Sequence, residues 1–331
     1  MANPILESKL NTSPHLNSNP LKNAILSLPK DPTVCILLCV LSFYTTGCGK
    51  YYSYKPEEVP GAIEQICLKE NNLKVIARVK GKTVGAVFYT NNFLDDKGQI
   101  LPTVHEDMGK VTQAVTRVAL STPTPFDFCT VRLRDRTSGN ELVITRSLDD
   151  TKRSYVDMLG IQESLDRTIF GQSKYSVSDK SKNEENFDLE EITLESFLAD
   201  QIAQRVRFKL FKGTEDVDPA KQSYILVEGS FKEAPTKNFV FSIIALKSNK
   251  TSNETLLEVL HQASIVLKGY SFEGYDEIRI HDYLNRQMLT VTKDVLKAYQ
   301  NGKISDEQIL KKYVQESQSI QEFFKVFGLN A

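Results

Sequence analysis

The sequence predicts an α+β fold: two similar helix-plus-antiparallel-sheet units and a C-terminal helical hairpin. Three observations predict it. Amphipathic helical stretches alternate with β-rich stretches in the order helix, strands, helix, hairpin, helix, and that order occurs twice. The two hairpins align without a gap. Val131-Arg132-Leu133-Arg134-Asp135 stands against Ile278-Arg279-Ile280-His281-Asp282, and Leu142-Val143-Ile144-Thr145-Arg146 against Leu289-Thr290-Val291-Thr292-Lys293. Finally, a polar, charged stretch, 171–190, divides the two runs and reads as a linker or long surface loop. Identities between the halves are few, so a duplication competes with two units that look alike because they obey the same physics.

The first unit spans 57–170. A helix from Glu57 to Glu70 carries Val59, Ile63, Ile66 and Cys67 on one face. Strands follow at Leu73–Lys80 and Thr83–Thr90, split by Gly81. They are rich in Val and alternate poorly, which predicts short, well-covered strands. A helix over Glu106–Leu120 has Met108, Val111, Val115 and Val118 at helical spacing, and Pro123 and Pro125 stop it. Strands Phe128–Arg134 and Glu141–Arg146 flank a turn at Ser138-Gly139, and a helix over Asp149–Leu159 closes the unit.

The second unit spans 191–300. A helix over Leu194–Gln204 has the stripe Leu194, Phe197, Leu198 and Ile202. Strands are expected at Arg205–Phe211, Ser223–Phe231 and Phe239–Lys247. The helix Thr255–Lys268 presents Leu256, Leu260, Ala263 and Leu267, and is followed by strands Glu277–Tyr283 and Met288–Thr292 and a helix ending near Tyr299. In 301–331, Asn301-Gly302 breaks the chain. Ser305 and Gln308 form a capping box, and Ile304 can staple onto Ile309. The helix is expected to continue through Leu310, Val314, Ile320, Phe324 and Phe327, covering its own unit or a partner.

Composition is that of a soluble globular chain, with a formal net charge of −1. Residues 1–47 carry Lys9, Lys22 and Lys30 against Glu7 and Asp31, so the remainder stands at −2. No basic field is left for nucleic acid. Residues 1–30 are polar and rich in Asn, Ser and Pro, a composition that predicts disorder. After Lys30, within Thr33–Cys48, comes an apolar run of about a dozen residues, then small residues ending in Thr46-Gly47-Cys48. That run is shorter than the roughly 20 residues that span a bilayer, and its layout is that of an export signal.

With cysteine directly after the small residues, this stretch resembles a bacterial lipoprotein signal peptide and its lipobox, although Thr45 stands where the family has Leu. The resemblance implies removal of residues 1–47, lipid on Cys48, and a tether over 48–56. It implies a cell-envelope protein, and Gly49 after the cysteine favours the outer membrane facing the periplasm. The alternatives are an uncleaved anchor, or a buried core segment of a cytoplasmic protein. Leu198–Leu246 also has a likeness to accessory lipoproteins that assist secretion, transport or cell-wall synthesis, and Asn301–Gln308 is similar to the turn of short bacterial oligomerisation helices.

No nucleophile–base pair, metal cluster or phosphate loop stands out. His105 sits at a helix start without a second histidine at ligand spacing, and His261 lies beside an apolar stripe. Cys67 and Cys129 read as buried thiols, with a disulfide in an oxidising compartment as the alternative. Arg132 and Arg134 alternate on one strand face, as do Arg279 and His281 on the matching strand. They form a solvated sheet face or a site for an anion or a partner. The sequence therefore predicts a non-catalytic envelope lipoprotein without cofactor or metal. Its partners are membrane lipid through Cys48 and envelope proteins or a second copy through the C-terminal helix. A soluble intracellular adaptor and an envelope enzyme are the competing classes.

Overall fold

A computed structural model describes residues 54–95, 99–175, 187–211, 224–246 and 250–316, all within one compact unit. The fold is α+β, with two five-stranded sheets. In the first half, a 3-10 turn, Pro56–Glu58, leads into α1, Val59–Asn71. Then come β1 (Val75–Lys80), β2 (Thr83–Thr90), α2 (Pro102–Leu120), β3 (Phe128–Asp135) and β4 (Asn140–Ser147). Two short helices, α3 (Leu148–Tyr155) and α4 (Ile161–Asp166), precede β5 (Ile169–Lys174). The second half runs α5 (Leu194–Phe211), β6 (Tyr224–Lys232), β7 (Asn238–Leu246), α6 (Ser252–Gly269), β8 (Glu277–Asp282) and β9 (Gln287–Thr292). It ends with α7 (Lys293–Gln300), α8 (Asp306–Tyr313) and β10 (Val314–Glu316).

The halves share one topology. Strand order is β1-β2-β3-β4-β5 in one sheet and β6-β7-β8-β9-β10 in the other. The gap-free hairpin alignment holds in register: Val131 faces Ile144 on β3–β4, and Ile278 faces Val291 on β8–β9. Both sheets are mixed rather than wholly antiparallel, because β2 pairs with β3, and β7 with β8, in parallel. The cause is the helix between each pair: α2 and α6 carry the chain back to the end where the preceding strand began.

Each sheet buries one face beneath two helices. Ile63 of α1, Met108 and Val115 of α2, and Ala86, Val131 and Leu133 share the first core. Leu198 of α5, Leu260 of α6, and Phe241, Ile280 and Leu289 share the second. Residues Arg205–Phe211, expected as a strand, continue α5. Val206, Phe208 and Leu210 alternate, which suits a strand, but Leu198, Ile202, Val206 and Leu210 also recur at every fourth position. All four are buried, while Phe208 is 61% exposed. A strand would have put Phe208 beside Val206 and Leu210.

The stretch 171–190 departs from its expected form at both ends. Its start belongs to β5, which pairs antiparallel with β4, and near its end Phe187 and Leu189 are buried against Val87. Residues 176–186 lie outside the described residues. This packing explains why β2 alternates so poorly: Thr83–Phe88 is buried along its length. In the C-terminal region, Gly302 takes φ +67 at the break. Ser305 accepts from the Gln308 amide and Gln308 Oε1 from the Ser305 amide, while Ile304 and Ile309 join the second core. The helix does not continue as expected. It stops at Tyr313, and Val314 pairs with Leu289 as β10 begins. The β10 amides and carbonyls find partners on β9, which a longer helix would have left as an open edge. Ile320, Phe324 and Phe327 lie outside the described residues.

Candidate functional site

The alternation of β3 and β8 places the four sheet-face candidates away from the cores. On β3, Arg132 and Arg134 share an outer row with Val87, Tyr89 and Glu141. The Arg134 Nε donates to Glu141 Oε1 at 2.7 Å, and Arg132 Nη1 lies 3.8 Å from Glu141 Oε2. Glu141 is buried, so one carboxylate neutralises much of both guanidinium groups. Each guanidinium also lies over a ring: Arg132 over Phe187 at 5.6 Å and Arg134 over Tyr175 at 5.2 Å. Arg136 continues the series over Tyr89 at 5.0 Å. The first sheet thus presents a layered arginine–aromatic face.

On β8 the matching positions are Arg279 and His281. Arg279 Nε donates to Glu277 Oε1 at 2.6 Å on its own strand, and its side chain is 44% exposed. The His281 ring stacks on Tyr283 at 5.7 Å. The two pairs therefore lie on equivalent faces of two sheets and do not converge on one site. Around the rim of the first face, Lys74, Arg78, Tyr89 and Arg136 line an open cleft of about 760 Å³ together with Glu64. Glu64 Oε1 accepts from the Ala77 amide at 2.9 Å, so this carboxylate also holds down β1. A cleft with three cationic side chains and one engaged acid suits an anionic group on a partner.

A second polar group, absent from the sequence reading, joins the halves. Ser147 caps α3 by accepting from the Asp150 amide, which fixes Asp150 in the first turn. Asp150 Oδ1 accepts from Arg167 Nη1 at 2.9 Å, with both side chains only 8% exposed. Tyr270, just past α6, donates its hydroxyl to Asp150 Oδ2, and the Arg167 guanidinium lies over its ring at 4.7 Å. Burial, followed by the Asp150 charge, pushes the Tyr270 phenol well above its ordinary range. Gln201 of α5 closes the group by donating to the Arg167 carbonyl at 2.9 Å. Only the capping signal Ser147-x-x-Asp150 was readable in advance. The partners sit up to 120 residues apart in sequence.

Cys67 and Cys129 are free and buried, and burial pushes both thiols up to about 11. His105 and His261 are exposed, and among the described residues no group of three His, Cys, Asp or Glu side chains could hold a metal. Cys48 lies outside the described residues, and Tyr54, six positions later, already donates its amide to the Ser121 carbonyl. No helix among the described residues is long and apolar enough to cross a membrane. No protein-family model matches the chain, and no curated protein and no solved structure matches it.

Proposed function

We propose that this protein is a membrane-anchored envelope lipoprotein with a non-catalytic binding or assembly role, held at the outer membrane through lipid on Cys48. The observation that carries it is the placement of Thr46-Gly47-Cys48 after a short apolar run and just before the folded unit. Tyr54, the first described residue, stands six positions after Cys48, and at roughly 3.3–3.6 Å per residue an extended chain covers about 20 Å over that interval. A lipid on Cys48 would hold the first half against the membrane surface, in reach of other envelope components. The cationic cleft at Lys74, Arg78 and Arg136 supplies the binding surface in this proposal.

Metabolic labelling with an alkyne palmitate tests it. The native protein should incorporate label, fractionate with membranes and lack the Met1 peptide by mass spectrometry. Cys48→Ser should lose the label and leave the membrane fraction. An intact Met1 peptide in most of the purified protein would sink the proposal.

A further inference from the structure

The two sheets treat their outer faces differently. In the first, the chain leaves β5 and comes back across the face, so that Phe187 and Leu189 pack on Val87. Gly85 makes room for this crossing: a Cβ there would lie 2.7 Å from Leu189 Cδ1 and 3.2 Å from Phe187 Cζ. In the second sheet Val240 pairs with Arg279 as Val87 pairs with Arg132, so the two valines are equivalent. Val87 is fully buried, whereas Val240 is half-buried. On the same face Leu226, which pairs with Ile244, is 41% exposed, and among the described residues no hydrophobic cluster covers this face.

The register says where a cover would come from. Leu142 and Leu289 are equivalent; their partners on the last strands are Gln172 and Val314. Phe187-Asp188-Leu189 begins 15 residues after Gln172, and Phe327-Gly328-Leu329 begins 13 residues after Val314. The same Phe-x-Leu pattern thus follows the same strand at nearly the same chain distance. Arg132, which lies over Phe187, corresponds to the half-exposed Arg279.

We infer that the outer face of the second sheet is the docking face for residues 317–331 of the same chain, with Phe327 on Val240 and its ring against Arg279. The inference stands independently of Cys48 and its lipid. It gives the apolar C-terminal residues one address in the fold.

Maleimide labelling of a Val240→Cys variant tests it, in the full chain and in a chain ended at Glu316. Removal of 317–331 should raise the labelling rate about tenfold. Equal rates in two folded chains would overturn the inference. The double variant Val240→Cys/Phe327→Cys separates a cover in cis from one in trans. Oxidation should give an intrachain disulfide, since the site would bring the Cα atoms within roughly 7 Å. A disulfide-linked dimer would assign the face to a second copy and overturn the inference. Should the shortened chain fail to fold, the double variant decides alone, and absence of the intrachain link counts against it.

Discussion

Replacing Asp150 by alanine should loosen the junction between the two halves more than any other single polar change. Asp150 and Arg167 are each 8% exposed, so the substitution leaves a guanidinium in a site that water scarcely reaches. Removing one partner of such a pair costs about 3–5 kcal/mol. Glu163 still accepts from Arg167 Nη2 at 2.7 Å, which places the cost near the lower end, about 3 kcal/mol. In a folded unit of this size that lowers Tm by roughly 6–12 °C. Tyr270→Phe removes only a hydroxyl and should cost about 1 kcal/mol. Because Tyr270 donates to the same carboxylate, the double variant should fall short of additivity by about 1 kcal/mol. Urea titration followed by circular dichroism measures each term, with Asp149→Ala, at an exposed neighbour, as the control. If Asp150→Ala matches that control, the group is not a clasp. If the wild-type chain unfolds in two separate transitions, the halves are independent and the reasoning fails more broadly.

Other expectations follow from single side chains. Gly229→Ala should destabilise by about 1–3 kcal/mol, because its Cβ would collide with the Ala199 carbonyl oxygen and helix backbone cannot yield as a side chain does. Gly61→Ala, with nothing within 4 Å of the new Cβ, should stabilise α1 by about 0.5–1 kcal/mol in the same urea assay. With both thiols near 11, about one in a thousand is ionised at pH 8, so Cys67 and Cys129 should resist iodoacetamide until the chain unfolds. The raised thiol pKa values also carry stability that is present below the ordinary thiol pKa and is lost between roughly pH 9 and pH 11. A denaturation midpoint that does not fall across that window would contradict it. Phe187→Ala should cost about 3–5 kcal/mol, read by thermal melting, since the ring is buried on Val87 and beneath Arg132.

Much of the fold was legible because one face of each element is apolar at its own period. Val111, Val115 and Val118 gave α2, and the match of Val131 with Ile278 gave the hairpin register before any pairing was known. The parallel centre of each sheet was also within reach, because a helix between two strands already implies a crossover. Two other elements were harder. At Arg205–Phe211 periods of two and four coincide on Val206 and Leu210, so only the exposure of Phe208 decides between strand and helix. β5 has two apolar residues, Ile169 and Phe170, in six, and is made a strand by the open edge of β4 rather than by its own pattern. The candidate arginines were found from their alternation, but not their neutralisation, since Glu141 reaches them only across the hairpin. The Asp150 group was invisible for the same reason: Arg167 reaches Asp150 from 17 residues away in sequence and Tyr270 from 120.

Similar topology does not make the two halves interchangeable as binding surfaces. Their inner faces keep the same kind of apolar residue at matched positions, as with Leu133 and Ile280, because a core tolerates little else. The outer faces diverge in charge. Where Glu141 sits between Arg132 and Arg134, the register puts Met288 in the second sheet, and Tyr89 is matched by Ser242. Without an acid across the hairpin, Arg279 turns to Glu277 on its own strand and stays half exposed. The first face is therefore closed by its own ion pairs and aromatic rings, and a ligand would have to displace both. The second retains a reachable guanidinium and, elsewhere on the same face, the exposed Leu226, so it is the face on which a covering segment or a partner gains most by binding.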